Sequence, residues 1–444
     1  MIQYHCISYY KLKEGKDMNT KELRDAVLSG KIDSTLVELY GEANVRSQTE
    51  RYVLAIDNFE KTYGNMENTQ IFSVSGRSEI SGNHTDHNHG RVIAASIDLD
   101  IIAVAAPTDG NEIKIKSEGF SEDTVDFTKY TSPIEEKFGT SASLIAGMCG
   151  GFIKDGYKVG GFSAYTTSNV FKGSGLSSSA AFEDMIGNIL NHLYNDGKVD
   201  NVEIAKLAQY AENVYFGKPC GLMDQVACAC GGTVAIDFKD PKTPVIEKLD
   251  FDFTKAGYNL CIVNTGGNHA DLTDDYASVP AEMKAIAKHF DKPVLRELDE
   301  ATIINEIPVL RKKFGDRAIL RSLHFLAENE RVFRQTEALK SGDLNAFFDG
   351  VLNSGKSSFC YLQNVYTTKN VNEQGLSLAL CLAENYLKDK NAAWRVHGGG
   401  FAGTIQSFVP TEYANEYKKI MDKAFGEGSC VILTIRPRGA IKVI

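Results

Sequence analysis

The amino-acid sequence predicts an α+β protein with two domains and a helical N-terminal extension. At 444 residues the chain is too long for one compact core, and its 43% apolar residues can fill two. Strand-like segments dominate residues 71–116, helical periodicity dominates beyond residue 280, and no internal repeat is visible. A polar turn with two prolines, residues 240–244, separates two strand-like segments and predicts a domain boundary.

The predicted elements follow in order along the chain. Apolar residues at helical spacing, such as Leu23, Val27 and Leu28, predict an amphipathic helical extension over residues 1–70. The strand-like segments are residues 71–74, 91–105, 112–116, 232–237, 258–264, 404–409 and 431–435. The main helix-like segments before residue 280 are residues 141–153, 182–190 and 202–215. We therefore expect a first domain at residues 71–245 and a second at residues 246–444.

Composition and charge exclude several classes of protein. The longest apolar run, residues 101–107, is too short to span a bilayer, and the N-terminus lacks the features of a targeting segment. The net charge of −10 disfavours nucleic acid, whose phosphates it would repel. Nine scattered cysteines predict buried thiols in a reducing compartment. We expect a soluble cytoplasmic protein with neither a membrane nor a nucleic-acid partner, and the sequence leaves the oligomeric state open.

A segment rich in glycine and serine, residues 172–181 (KGSGLSSSAA), precedes a helix-like segment. Glycine has no Cβ, so the backbone can approach an anion closely. The first N–H groups of the following helix have no internal acceptor and point at whatever lies there. A polyphosphate fits such a site. Considered alone, the segment is explained equally well as a flexible loop before an ordinary serine-capped helix.

A second segment, residues 76–90 (GRSEISGNHTDHNHG), is dense in side chains that form directional hydrogen bonds. A pocket for a polyhydroxy ligand needs such groups. A zinc site is an alternative, because three histidines and an aspartate lie within six residues, namely His84, Asp86, His87 and His89. A solvated turn is a further alternative.

Two more segments carry candidate groups. Glu212 lies late in a predicted helix, and Asp224 follows the next turn beside apolar residues. An acid so placed is either a buried, paired structural residue or a catalytic one. Three consecutive glycines, residues 398–400, indicate either a close approach to a ligand or a structural turn.

Together the four segments resemble, in the same order, those of the galactokinase branch of the GHMP small-molecule kinases. The closest matches are the central residues 175–180 (GLSSSA) and residues 219–225 (PCGLMDQ). The resemblance covers residues 76–403 and leaves the first 50 or so residues outside. It implies a two-domain fold with the active site in the cleft between the domains. It also implies transfer of the γ-phosphoryl group of ATP to the anomeric hydroxyl of a hexose.

The resemblance also implies roles for individual residues. Asp224 would be the catalytic carboxylate and Arg77 the cation beside it. ATP phosphates would be wrapped by the loop residues Gly173, Ser174, Gly175, Leu176, Ser177, Ser178, Ser179 and Ala180. Ser179 and Glu212 would hold Mg²⁺, which prefers oxygen ligands. The sugar would contact Asn83, His84, Asp86, the backbone at Gly221, Asp224 and Tyr276.

This sequence departs from the family pattern at several positions. Asn83 stands where relatives have a Glu that contacts the C6 hydroxyl of the sugar, and His87 stands where they have Tyr. Loss of that negative charge makes galacturonic acid a second candidate substrate beside galactose. The family also includes galactose sensors without kinase activity, but residues 177–181 are complete here and favour an enzyme.

Overall fold

A computed structural model of the protein describes residues 18–170, 175–218, 220–267 and 272–444. The helical extension consists of α1 (Thr20–Leu28), α2 (Asp33–Tyr40) and α3 (Val45–Tyr63). Asn19 caps α1, since its side chain accepts from the N–H groups of Lys21 and Glu22 while the Glu22 carboxylate accepts from the Asn19 N–H.

The first sheet has eight strands within the described residues. These are β1 (Gln70–Ser81), β2 (Arg91–Pro107), β3 (Glu112–Ser117), β4 (Glu122–Asp126), β5 (Phe162–Ser168), β6 (Thr233–Asp237), β7 (Val245–Leu249) and β12 (Ile441–Lys442). Six of them follow the order β12-β1-β2-β5-β3-β4, and β6 joins β2 and β7. Only the β3–β5 pair in this sheet is parallel.

The first sheet is covered on both faces because its strands alternate. On β1, Phe72 and Val74 join the core on the side of α4 (Ser141–Lys154) and α5 (Ser178–Tyr194). The intervening residue Ile71 faces the opposite side, where the extension packs through residues such as Tyr52. This second face explains why an apolar stripe follows the extension helices: those helices form one layer of the first domain.

The first domain is completed by α6 (Asn201–Tyr210), a π-helical turn (Ala211–Phe216) and α7 (Met223–Cys230). The second sheet has the order β11-β8-β10-β9 and is antiparallel throughout; its strands are β8 (Tyr258–Asn264), β9 (Ala393–Val396), β10 (Thr404–Pro410) and β11 (Cys430–Leu433). The second domain also contains α8 (Thr273–His289), α9 (Glu300–Asn305), α10 (Ile307–Phe314), α11 (Asp316–Ser341), α12 (Leu344–Ser357), a π-helical turn (Ser358–Leu362), α13 (Gly375–Leu387) and α14 (Thr411–Phe425).

Most predicted elements occur, and three features of the fold were not predicted. The predicted domain limit at residue 245 falls at the start of β7, which pairs with β6 of the first sheet. The last strand, β12, also returns to the first sheet and pairs with β1. The predicted helix at residues 202–215 ends as a π-helical turn. Strand pairing over such distances depends on tertiary contacts that local periodicity does not contain.

Within the described residues all cysteines are free thiols. Cys149, Cys228, Cys261 and Cys430 are buried as expected, but the prediction is wrong for Cys360 and Cys381, which are exposed. Among the helices described, none combines the length and the apolar character needed to cross a membrane.

Candidate active site

The site begins where the glycine-rich loop lies along β1. The backbone N–H of Arg77 donates to the Leu176 carbonyl oxygen at 3.1 Å, and the Arg77 guanidinium donates to the Gly175 carbonyl oxygen. A Cβ at Gly76 would lie 2.9 Å from that same Leu176 oxygen, so the close approach requires glycine. Two segments that are about 100 residues apart in sequence are therefore held together. The predicted phosphate-binding residues Gly173 and Ser174 lie outside the described residues.

The loop enters α5 without a side-chain cap. Ser177 has a left-handed backbone conformation (φ 57°), and its hydroxyl donates to the Asp224 carboxylate instead of accepting from the first N–H groups of α5. The serine-capped helix considered above is therefore wrong for Ser177. Since the first N–H groups of a helix have no intrahelical acceptor, the N-terminus of α5 is suited to an anion.

Asp224 and Arg77 form a two-pronged ion pair. Nε and Nη2 of Arg77 donate to the two oxygens of Asp224 at 2.7 and 2.6 Å. Burial alone would raise the pKa of the Asp224 carboxyl, but the Arg77 charge and the hydrogen bonds from Arg77 and Ser177 outweigh it and lower the pKa. The Asp224 side chain is 34% exposed. The carboxylate is therefore ionised and still accessible to a ligand.

Glu212 lies beside this pair in an acidic environment. Its Oε2 accepts from the Gln225 side chain at 2.9 Å, and its Oε1 accepts from Lys218 Nζ at the same distance. The buried Glu183 also accepts from Gln225, and its other oxygen has no partner in the described part of the protein. Burial and then repulsion from Glu212 raise the pKa of Glu183. This part of the site therefore has more hydrogen-bond acceptors than donors. Such an excess of oxygen atoms suits a cation.

Mg²⁺ fits this environment only as a partly hydrated ion. Ser179 is exposed at the start of α5. In the described ranges, no group of three or more His, Cys, Asp or Glu side chains is placed to hold a metal. Mg²⁺ usually keeps several waters and binds through one or two protein oxygens together with substrate phosphates. Ser179 and Glu212 offer a hydroxyl and a carboxylate oxygen, which are ligands of that type, and the zinc alternative has no support in the described residues.

A cavity of about 710 Å³ opens beside the N-terminus of α5. Ser178 and Ser179 form one end of it, and Leu144, Val170, Phe182 and Phe216 contribute apolar surface. Ligand pockets of about 300–1,000 Å³ with largely apolar walls are typical of small-molecule sites. The cavity is large enough for a nucleoside whose phosphates extend toward the glycine-rich loop.

Two of the predicted sugar-binding residues, Asp86 and Gly221, lie together near Asp224. A Cβ at Gly221 would lie 3.0 Å from Oδ2 of Asp86, which places the Asp86 carboxylate against the Gly221 backbone. The charge of Asp86 also raises the pKa of Asp224, but the charge and hydrogen bonds of Arg77 outweigh it, so the two carboxylates lie near each other. Tyr276 of α8 closes this side, because its hydroxyl donates to the Gly400 carbonyl oxygen at 2.8 Å.

The triple-glycine turn lies between His84 and Tyr276. His84 Nε2 bonds to the Gly399 carbonyl oxygen at 2.9 Å, and a Cβ at Gly399 would lie 2.6 Å from the Tyr276 ring. His84 Nδ1 bonds to His87 at 3.2 Å. Both ring nitrogens of His84 are thus engaged by the protein. In this arrangement the His84 side chain has no polar atom left for the predicted contact with a sugar.

The structure does not place Asn83 where the resemblance implies, at the sugar. Its side chain is fully buried; its amide nitrogen donates to Gly398 at 2.6 Å and to Glu79 at 3.3 Å. Its amide oxygen accepts from Ser358 and Asn364. Every hydrogen-bonding position of the amide is therefore used within the protein. The structure does not support a contact between Asn83 and C6 of a sugar, and with it the argument for galacturonic acid loses its basis.

This placement predicts that Asn83→Asp destabilises the fold. A carboxylate oxygen in place of the amide nitrogen would face the Gly398 oxygen and the Glu79 carboxylate, so two donated bonds become repulsions. We expect the free energy of unfolding to fall by about 2 kcal/mol. Urea unfolding measures it, with Asn372→Asp on the exposed surface as the matched control. Unchanged stability together with an altered sugar preference would show that Asn83 faces the sugar.

Two family models match segments of the chain. Residues 143–232 match the model of the GHMP kinase N-terminal domain, and residues 57–107 match the galactokinase galactose-binding signature. The galactokinase of Lactobacillus helveticus is 32% identical over 365 residues, which are 80% of this chain and 89% of that protein. The chain belongs to the galactokinase family. The galactokinase of Pyrococcus furiosus is also 32% identical, over 61% of this chain and 71% of its own length.

Solved structures show the same fold. Lactococcus lactis galactokinase, solved in complex with galactose, superposes with a TM-score of 0.73 at 23% identity, over 88% of this chain and 99% of that one. Methanococcus jannaschii mevalonate kinase superposes with a TM-score of 0.58 at 15% identity, over 82% and 98% of the two chains. The predicted GHMP kinase fold is confirmed.

Several groups at this galactokinase-family site were not identified from the sequence. The Ser177 hydroxyl was expected at phosphates but also bonds to Asp224. Lys218 and Glu183 extend the surroundings of Glu212. A buried network of ion pairs and hydrogen bonds supports the end of β1. It joins Glu79 of β1 to Arg395, Glu328 and Ser354 of the second domain. Only the unusual acidity of residues 183–184, early in an amphipathic helix, gave a signal in the sequence.

Proposed function

We propose that the protein transfers the γ-phosphoryl group of ATP to the C1 hydroxyl of D-galactose, forming galactose 1-phosphate and ADP. The single observation that carries the proposal is the two-pronged Arg77–Asp224 pair at the end of the glycine-rich loop. The pair brings a cation and an ionised carboxylate together between two features. One is the N-terminus of α5, and the other is the Asp86 carboxylate beside the Gly221 backbone. Membership of the galactokinase family supports galactose as the sugar.

The roles of the side chains follow from their charges. Asp224 would accept a hydrogen bond from the C1 hydroxyl and orient its oxygen, because Arg77 and Ser177 hold the carboxylate in one position. Its lowered pKa makes it a weak base, so the hydroxyl proton would leave late in the transfer. Arg77, fixed between Asp224 and the Gly175 carbonyl oxygen, would bring positive charge to the transferred group.

Asp86 and the Gly221 backbone would contact the sugar hydroxyls, since carboxylates accept from pairs of hydroxyls. The cavity lined by Phe182 and Phe216 would hold the nucleoside, and the α5 N-terminus the phosphates. Mg²⁺, when bound by Ser179 and Glu212, supplies positive charge that neutralises phosphate oxygens. Lys218 already places a cation on Glu212, which supports the view that this carboxylate faces positive charge.

A coupled ADP-release assay tests the proposal. Galactose, galacturonic acid, N-acetylgalactosamine, arabinose and glucose are compared, each with ATP and Mg²⁺, and ³¹P and ¹³C spectra of the product identify the phosphorylated carbon. We expect the highest kcat/KM with galactose and the phosphate on C1. Preference for another sugar would move the substrate assignment, and phosphorylation at another carbon would contradict the role given to Asp224.

A further inference from the structure

A chain of hydrogen bonds runs from Asp86 through two imidazoles to the glycine-rich turn of the second domain. His87 Nδ1 lies 2.9 Å from Asp86 Oδ1. His87 Nε2 lies 3.2 Å from His84 Nδ1, and His84 Nε2 lies 2.9 Å from the Gly399 carbonyl oxygen. The chain therefore contains three links and ends in an acceptor on each side. His84 is held in it in a left-handed backbone conformation (φ 57°).

The net charge of the two imidazoles in this hydrogen-bond chain follows from the number of protons that its links require. The Asp86 carboxylate and the Gly399 carbonyl can only accept, so each requires one N–H from an imidazole. The link between the two rings requires a third N–H. Two neutral imidazoles supply two N–H groups in total, one on each ring. All three links are made only when the pair carries one additional proton and hence one positive charge.

The surroundings assign that charge to His87. Burial disfavours the charged form of His87, but the Asp86 carboxylate outweighs it and raises the pKa of His87. Burial and then the charge of His87 lower the pKa of His84 to about 3. Two other charged groups act on His87: Lys284 of α8 opposes protonation, and Glu79 of β1 favours it. The side chains of His87 and Asp86 are 30% and 27% exposed, so a ligand can reach the pair from solvent.

We propose that His87 is a positioning residue for sugar binding: its imidazolium clamps the Asp86 carboxylate against the Gly221 backbone. The proposal rests on the proposed function, in which Asp86 contacts the sugar hydroxyls. Only the carboxylate oxygen Oδ1 is bound to His87, through both the ring and the backbone N–H. Oδ2 lies on the Gly221 side. The clamp therefore holds one oxygen and presents the other, which reduces the conformational cost of binding a hydroxyl pair.

Galactose binding should therefore depend on pH in a definite direction. Because the pKa of His87 is raised in the folded protein, the imidazolium is present at and below the ordinary imidazole pKa of about 6.5. It is lost as the pH rises through the raised value. One of the three links then has no proton, and Asp86 loses the positive charge of the imidazolium beside it. We expect KM for galactose to rise about tenfold between about pH 6 and 9, with KM for ATP and kcat changing much less.

Two variants of His87 test this, with His289→Gln near the end of α8 as the matched control. His87→Gln removes the titrating group, so its galactose KM should be high and independent of pH. His87→Arg keeps a permanent cation that can donate to Asp86, so its KM should stay close to the low-pH value of the wild type across the range. His289→Gln should show the wild-type profile. A flat wild-type galactose KM, or equal behaviour of the Gln and Arg variants, would overturn the role of His87.

A second measurement reads the charge directly and does not need turnover. In protein labelled at histidine Cε1, the resonance missing in His87→Gln identifies His87 among nine histidines. It should titrate above the ordinary imidazole pKa, and that pKa should fall in Asp86→Asn. Titration at or below the ordinary value would overturn the clamp. Absence of turnover with every sugar in the wild type would instead overturn the proposed function, so the two failures are distinguishable.

Discussion

Asp224→Asn is expected to lower kcat by about 10³-fold while leaving galactose binding within a few-fold of the wild type. Asn has nearly the same shape, and its amide oxygen can still accept from Arg77 Nε. Only the donors to the second carboxylate oxygen, Arg77 Nη2 and the Ser177 hydroxyl, lose their acceptor. The substitution removes the negative charge that, in the proposed mechanism, orients the C1 hydroxyl and accepts its proton. Single-turnover kinetics with ATP measure the loss, and calorimetric titration with galactose measures the binding.

Asp274→Asn is the matched control for Asp224→Asn. Asp274 lies on α8 with its side chain 91% exposed, in the same domain as Tyr276 but on the surface. It should keep wild-type kinetics. Near-normal turnover of Asp224→Asn would contradict the catalytic role of Asp224. Loss of sugar binding in parallel with turnover would indicate that the carboxylate holds the sugar without acting in the transfer.

The wild type should also show no loss of Asp224 function at mildly acidic pH. Because Arg77 and Ser177 lower the pKa of Asp224, the carboxylate stays ionised until the pH falls below the ordinary carboxyl range. An acid limb in kcat above that range would have to come from another group.

The sequence predicted local features of this protein better than its long-range connections. The helix predicted at residues 141–153 is observed at Ser141–Lys154, and the strand predicted at residues 258–264 is observed at Tyr258–Asn264. These elements have strong periodicity and clear ends. The return of β12 to the first sheet had no local signal, because two residues cannot show a period.

The same distinction applies to the active site. Motifs indicated that Arg77, Asp224 and the glycine-rich loop belong together, and the structure brings them into contact. Motifs did not indicate which polar atoms are already used by the protein. Asn83 illustrates this: its residue type suits a sugar contact, but four partners from two domains surround its amide. Such saturation depends on tertiary neighbours and cannot be seen from sequence spacing.

The extension was the part of the chain with no predicted role, and one buried residue indicates what it does. Asp100 of β2 is fully buried and accepts from Arg51 of α3 at 2.6 Å and from Arg436 at 3.1 Å. Tyr40 of α2 and Ser73 of β1 donate to the same carboxylate. A single charge thus connects the extension, the first sheet and the segment that leads to β12. The backbone N–H of Asp100 also donates to the side chain of Asn169, just before the glycine-rich loop.

Asp100→Asn should therefore lower the free energy of unfolding by about 3–5 kcal/mol. Two arginines would remain buried or nearly buried beside a neutral amide, without the charge that offsets their desolvation. Urea unfolding at neutral pH, followed by circular dichroism, measures the change. Asp25→Asn on the exposed side of α1 is the control and should lie within about 0.5 kcal/mol of the wild type.

The pH dependence of this loss separates a charge effect from a packing effect. Burial would raise the pKa of Asp100, but Arg51 and Arg436 outweigh it and lower the pKa. A carboxylate with a lowered folded-state pKa contributes stability above its ordinary pKa and loses that contribution as the pH falls through the folded value. The difference between the wild type and Asp100→Asn should accordingly be largest near neutral pH and shrink in acid. A difference that is constant with pH would mean that shape, and not charge, joins the extension to the sheet.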